Sequence, residues 1–309
     1  MYIIVQYIKK RYKTSFIMAN QKLTDDYPLS NEELVEKVKK DHESQQVRDY
    51  KFPTEIIDLP SNGLIYPKDN PLASGKIEMK YMTAKEEDIL TTQSYIKDGT
   101  VLDRLFKSLI VGNDKGESIN YTDLVTGDKN AIMIAARVLG YGKDYKVEVD
   151  DPTSPGTKQK ETIDLTQFEN KPYDGSYQLE PNKNEFEFTL PQSKRKITFM
   201  CMTESKERKV KHQIDGLKKA NRKIKDMTSR ELTTRLKNTI LSIDGSSEQK
   251  DINHFVDNEL FAIDSKALRT HIATVAPDID LTFEFISEES GEGRDMQLPM
   301  DVTFFWPND

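Results

Sequence analysis

Hydrophobic positions along this chain change period several times, and each change predicts a new element. Residues 18–51 are polar, with Leu34, Val35 and Val38 as one weak helical stripe behind Ser30, which has Glu33 three residues on. From Phe52 to Pro71, prolines 53, 60, 67 and 71 surround Ser61-Asn62-Gly63 and predict extended segments joined by turns. Lys76 to Tyr81 alternates as a half-buried strand. Thr83 with Glu86 is a capping box that opens a helix through Thr92. Val101, Leu102, Leu105, Phe106 and Leu109 share one face of a second helix, and Gly112 is placed to end it in a left-handed conformation. A third helix, capped by Asp128, carries Ala131, Ile132, Ile134, Ala135, Val138 and Leu139. That pattern leaves little polar surface, so this helix belongs in the centre of its domain, with Gly140-Tyr141-Gly142 ending it.

Tyr145 to Val149 alternates as a strand, and Asp150-Asp151-Pro152-Thr153-Ser154-Pro155-Gly156 is a loop signal. Phe186, Phe188 and Leu190 alternate, as do Ile197, Phe199 and Cys201, across a polar turn at Gln192 to Arg195: a β-hairpin. Val210, Ile214, Leu217, Ile224 and Met227 keep a three/four spacing, which reads as a surface helix or a short coiled-coil seam. Thr228 with Glu231 is a further capping box, and Leu232, Leu236, Ile240 and Ile243 carry a helix on to Gly245, the two pairing as a helical hairpin. Short helices follow around Asn253 to Phe261 and, capped by Asp264, Ser265 to Val275 before Pro277. Leu281, Phe283 and Phe285, then Met300, Val302 and Phe304, alternate on either side of a turn at Glu288 to Arg294.

The fold class that follows is α+β: a mainly helical N-terminal domain with extended Pro-rich segments, a small β-hairpin module, and a helical hairpin plus C-terminal β-hairpin. The expected divisions are a flexible arm at 1–51, an α+β domain at 52–149, a β module at 150–203, and a basic helical region with the C-terminal hairpin at 204–309.

Composition tempers this picture. The 309 residues suffice for one large or two smaller domains, but 36% hydrophobic and 31% charged residues predict a modest core, an elongated shape or polar arms. Mean hydropathy is −0.68. The net charge of −7 is uneven: Lys194 to Lys237 holds about fifteen Lys/Arg against about five Asp/Glu. A single cysteine, Cys201, excludes an intramolecular disulfide and a Cys-rich zinc site, and fits a reducing compartment. The apolar stretch Met1 to Ile8 is too short to span a membrane, and its basic residues follow it instead of preceding it as in a signal peptide. Met18 opens an ordinary polar start, so residues 1–17 read as the product of an upstream start-codon assignment.

Catalytic signatures are missing where they would be expected. His42, His212, His254 and His271 are scattered, without metal-ligand spacing or a cysteine neighbour, and read as surface histidines. Gly127-Asp128-Lys129-Asn130 and Gly140-Tyr141-Gly142 match no phosphate-loop or dinucleotide pattern and read as helix caps. No catalytic residue, metal, cofactor or small-molecule ligand is expected. The basic stretch 204–237 raises nucleic-acid binding as an alternative, but the pI is about 5.4 and no aromatic residue interleaves the charges for base stacking. A helical face that steers toward an acidic protein is favoured, with Lys218, Lys219, Arg222 and Lys223 as candidate contacts. In Phe304-Phe305-Trp306-Pro307, alternation packs Phe304 and Trp306 against Leu281 to Phe285 and turns Phe305 to the opposite face, as a candidate partner contact.

The run Phe52-Pro53-Thr54-Glu55-Ile56-Ile57-Asp58-Leu59-Pro60-Ser61-Asn62-Gly63-Leu64-Ile65-Tyr66-Pro67, followed by Met79-Lys80-Tyr81-Met82-Thr83-Ala84-Lys85-Glu86-Glu87-Asp88-Ile89-Leu90, closely resembles the T-even-type baseplate hub assembly chaperone family. Gly127-Asp128-Lys129-Asn130-Ala131, Ala135-Ala136-Arg137-Val138-Leu139-Gly140-Tyr141-Gly142 and Phe304-Phe305-Trp306-Pro307 share the resemblance, which is looser over 161–200. It implies a non-enzymatic protein that helps build the central hub of a myovirus baseplate, as hub subunit or assembly chaperone. Its partners would be hub and tail proteins and its place the host cytoplasm during assembly or the virion baseplate; from the residues themselves no membrane partner is expected, and nucleic acid is the disfavoured alternative. In many relatives a Cys-x-x-Cys knuckle of zinc-ribbon type occupies the place of Asp151 to Gly156. Here Asp151 and Ser154 stand at those positions, so the module is expected to hold by its own hairpin packing, without metal. A rival reading, a tail-associated cell-wall hydrolase, would need a clustered Glu/Asp or His/Cys constellation, and none is legible.

Overall fold

The first sheet closes around a turn that requires glycine. Strands β1 (Thr54–Asp58) and β2 (Lys76–Lys80) pair antiparallel from Thr54↔Lys80 to Asp58↔Lys76. In the proline-rich connection, Asn62 and Gly63 take positive φ of 50° and 76°. A Cβ on Gly63 would stand 2.4 Å from the Ala73 carbonyl oxygen, so both conformation and space exclude a side chain. The computed structural model describes residues 52–154, 156–220, 230–300 and 302–305. The polar arm with its Ser30–Glu33 helix start, the seam residues Ile224 and Met227, the Thr228 half of the third capping box, and Trp306 lie outside the described residues.

Three helices follow: α1 (Ala84–Thr91), α2 (Gln93–Asp98) and α3 (Val101–Leu109). The predicted capping box is present, and Glu86 does more than cap. Its buried carboxylate accepts from the Thr83 N–H (2.9 Å) and hydroxyl (2.6 Å), from Ser108 (2.6 Å) and from Lys80 Nζ (2.9 Å). Burial raises its pKa, but these donors more than offset that and hold it at about 2, tying β2, α1 and α3 together. Val101, Leu105, Phe106 and Leu109 are buried on α3 as their spacing predicts. Gly112 is not a left-handed cap. The helix ends at Leu109, and Gly112 lies in β3 (Ile110–Gly112), where a Cβ would stand 2.7 Å from the Glu117 carbonyl oxygen. Its glycine serves close approach, not a turn.

Helix α4 (Thr126–Tyr141) is central, burying Ala131, Ile132, Met133, Ile134 and Ala136, and Gly142 ends it with φ 85°. Asp128 does not cap it: Val125 is the N-cap and Asp128 sits in the first turn. The loop signal at 150–156 is the tip of a long hairpin between β4 (Asp144–Asp150) and β5 (Lys158–Asp164). At that tip Asp151 accepts from the Thr153 N–H and hydroxyl, both at 2.7 Å, and from the Ser287 hydroxyl at 2.6 Å. The tip is thereby fastened to the turn of the C-terminal hairpin as well as to its own strands.

The predicted hairpin β6 (Phe186–Thr189) and β7 (Lys196–Phe199) forms in register Phe186↔Phe199 and Phe188↔Ile197. Next come α5 (Glu204–Ala220) and α6 (Glu231–Thr239), which pack together through Arg235–Glu207 (2.8 Å) and Asn238–Gln213 (2.9 Å). The helix predicted to run to Gly245 stops at Thr239, and Ile240–Ile243 becomes β8, paired with β7. A register shift between Ile197↔Ile243 and Phe199↔Ile240 explains the misreading. One extra residue in β8 puts Ile240 and Ile243 on the same buried face, so a spacing of three mimics a helix. Helices α7 (Gln249–Asn258) and α8 (Ala262–Val275) follow. Asp264 again lies inside the first turn of its helix, with Phe261 as N-cap, and accepts from the N–H groups of Gln192 (2.7 Å) and Ser193 (3.0 Å) in the β6–β7 turn.

The C-terminal hairpin pairs β9 (Thr282–Ile286) with β10 (Gly293–Gln297), so the return strand is 293–297, not Met300 to Phe304. Val302–Phe305 is a single 3-10 turn. Successive residues of a 3-10 turn are about 120° apart, so neighbours can face the core together where strand alternation would separate them. Phe305 is accordingly fully buried, packed on Phe106 (centroids 6.2 Å apart), while Phe304 meets Tyr145 at 4.9 Å. It is therefore not available as a surface anchor in this fold. Among the described residues there are eight α-helices and four small antiparallel sheets, an α+β fold. One hydrophobic cluster runs from Leu59 through all three segments expected from the sequence to Phe305, and Phe52–Asp309 forms one compact unit.

Candidate functional site

The sequence Gly127-Asp128-Lys129-Asn130 opens α4, and each of its residues holds a different part of the chain. A Cβ on Gly127 would overlap the Pro277 carbonyl oxygen at 1.9 Å, so glycine lets the start of α4 cross the chain behind α8. Asp128 accepts from the Ser61 N–H (2.9 Å), the Ser61 hydroxyl (2.7 Å) and the Tyr66 phenol (2.5 Å). Lys129 Nζ pairs with Glu204 (2.5 Å) at the start of α5, and Asn130 donates to Asp278 (3.0 Å). Tyr66 in turn accepts from the Val125 N–H at 3.1 Å. The two motifs, more than sixty residues apart, thus meet as one buried clasp.

Electrostatics at the clasp are those of a low-dielectric interior. Burial pushes Asp128 up to about 6 against the three donors that favour its charged form. Burial and then the Asp128 charge hold the Tyr66 phenol well above its ordinary range, and the same two causes lift the buried Cys201 thiol to about 12. Such a thiol is protonated and unreactive at neutral pH. Ser61 and Asp128 are both fully buried and no imidazole among the described residues joins them, so within the described residues the pair has no relay and no open face for a substrate. No group of three or more His, Cys, Asp or Glu able to hold a metal occurs among the described residues. His271 departs from the surface histidine expected. It stacks on Phe188 (4.4 Å, 20°) and meets Phe199 edge-on (5.8 Å), and burial lowers its pKa.

The outward-facing candidate is the α5–α6 pair. Along α5 the apolar stripe emerges progressively: Val210 is 1% exposed, Ile214 8% and Leu217 36%. On α6, Leu236 is buried while Leu232 is 42% exposed. The base of α5 is held by ion pairs, Glu204 with Lys129 and Arg208, and Arg208 with Asp103 at 2.7 Å. Lys218 and Lys219 fall in the last turn of α5; Arg222 and Lys223 lie outside the described residues. Phe305, the remaining candidate, belongs to the core.

Sequence reasoning missed a groove beside these lysines. It has a volume of about 490 Å³ between α5, α6 and α7, and its walls include Lys209, Gln213, Gly216, Leu217, Asn238 and Asn253. No local pattern announces it, because its residues come from three helices and are mostly ordinary polar surface types.

A family profile described as T4 bacteriophage base plate protein matches residues 53–306, from the edge of β1 to the aromatic turn. Comparison with curated proteins and with solved structures gives no match. No helix among the described residues is long and apolar enough to cross a membrane. The matched span contains the Ser61–Tyr66–Asp128 clasp, the fastened hairpin tip and the α5–α6 pair, and over it the chain belongs to the T4 bacteriophage base plate protein family.

Proposed function

We propose that this baseplate protein acts in assembling the central hub of the baseplate, as a hub subunit or as an assembly chaperone, in the cytoplasm of the infected host. The observation that carries the reading is the family match across 53–306 together with the fate of the residues that bear the hub-family resemblance. Those residues are spent on a buried clasp and on packing, which is the chemistry of a rigid part offered to other proteins. Acidic hub or tail proteins are the partners, met through the basic residues Lys218, Lys219, Arg222 and Lys223.

Affinity purification of tagged protein from phage-infected cells, with mass spectrometry of the eluate and of finished virions, tests this. Hub and tail proteins should co-purify, and the chain's presence in or absence from virions separates subunit from chaperone. An eluate holding only nucleic acid and host proteins would end the hub reading. Reversing the four basic residues to Glu should weaken capture without altering the circular dichroism spectrum.

A further inference from the structure

The groove between α5 and the α6–α7 pair differs from the rest of this acidic surface in what it lacks. The chain has 52 Asp+Glu against 45 Lys+Arg, yet among the described residues no carboxylate lines the groove. Its walls carry Lys209 and Lys237, the amides of Gln213, Asn238, Gln249 and Asn253, Thr234, and Leu217 beside Gly216. The neighbouring cleft on the other side of α5 is the contrast: Asp103, Glu204, Glu207, Asp215 and Glu231 line it, and its arginines are paired with them. In the groove Lys237 has Asp257 at 2.6 Å, whereas Lys209 has no ion pair among the described residues. The amides are preset: Asn238 donates to Gln213 (2.9 Å), and Gln249 donates to the Lys237 carbonyl and to Asn253, both at 3.2 Å. Gly216 keeps the mouth open, since a Cβ there would meet nothing within 4 Å. Leu217, half out of the groove, is the apolar point of contact.

We propose that this groove is the docking site for an acidic segment of another baseplate protein, a proposal that rests on the baseplate assembly reading above. Carboxylates of the segment sit against Lys209 and the amide wall, and one apolar side chain covers Leu217. Lys218 and Lys219 follow Leu217 in the sequence of the same helix. A nucleic-acid strand fits less well, because no described lining residue is aromatic and base stacking has no platform among them.

The test places p-benzoylphenylalanine at position 216 of the full tagged chain, irradiates phage-infected cells, and maps the crosslinked peptide by mass spectrometry. A larger side chain is tolerated there, since the site is open and every residue but proline is a better helix former than glycine. The expected product joins position 216 to an Asp/Glu-rich segment of a baseplate protein, and Lys209→Glu reduces its yield roughly tenfold at unchanged melting temperature. Crosslinking to nucleic acid or to an uncharged segment, or a yield indifferent to Lys209→Glu, overturns the proposal. Co-purification of hub proteins without any crosslink from position 216 overturns the groove and leaves the assembly reading standing. A crosslink to an acidic segment of a protein outside the baseplate also overturns the proposal, and the hub reading is then decided by co-purification alone.

Discussion

Asp128 shows how much one side chain can organise. Its carboxylate is the only acceptor for the Ser61 hydroxyl and the Tyr66 phenol in the clasp, and the Tyr66 oxygen in turn satisfies the Val125 N–H. Tyr66→Phe leaves both Asp128 and Val125 short of a partner in the interior and should cost about 1–3 kcal/mol, read from the urea midpoint. The acid also sets a pH dependence. Because burial raises its pKa in the folded state from 3.8 to about 6, the folded chain holds the extra proton. The associated stability is complete below the unfolded value and is lost as pH rises through about 6. Glu86 acts in the opposite sense: its pKa is lowered from 4.5 to about 2, so its contribution is present above 4.5 and lost as pH falls toward 2. Asp128→Asn should therefore flatten the decline in stability between about pH 4 and pH 6 while leaving the acid-side loss in place, measured by urea unfolding across that range. Gly127→Ala brings a methyl group within 1.9 Å of the Pro277 carbonyl oxygen. It should destabilise by about 2 kcal/mol or more, whereas Gly216→Ala, in open space on a helix, should stabilise slightly.

At the scale of elements, the predictable ones were those with a single strong period. The capping box before α1, the apolar face of α3, the core helix α4 and the β6–β7 hairpin were legible because each is decided within about ten residues by its own spacing. The misread ends share a cause, which is that the local pattern was ambiguous and a distant partner resolved it. Asp128 and Asp264 look like N-caps, but a carboxylate is also favourable within the first turn, and both turn away to hold backbone or hydroxyl donors of a remote turn. Ile240 and Ile243 read as helix until the open edge of β7 is supplied to pair with them. Ile243→Ala should then cost about 2–4 kcal/mol, as for a buried sheet residue, while Leu232→Ala, at the exposed end of α6, should change stability by less than about 1 kcal/mol. Equal losses at the two positions in thermal melts would show that the α6 end is packed, against the surface described.

Over the whole molecule, the continuous core couples the two ends of the described chain. Phe304 and Phe305 close onto Tyr145 and Phe106, so the last aromatic turn lies against β4 and α3. Phe305→Ala should cost about 3–5 kcal/mol and lower one cooperative unfolding transition, followed by urea titration with circular dichroism and fluorescence in parallel. Two separated transitions would instead indicate that the segments divided at 150 and 204 fold independently.

By itself the sequence determined the class of the fold, most element positions, and the hub-family resemblance that the baseplate family match supports at the level of the family. These depend on periodicity and on long ungapped motifs, which are properties of neighbouring residues. The tertiary structure alone decided which turn each buried carboxylate holds, that Phe305 is core, and that three helices enclose a groove with no carboxylate among its described lining residues. The reason is physical: hydrogen bonds, burial and electrostatic fields act through space, so their outcome depends on which distant segments the chain brings together.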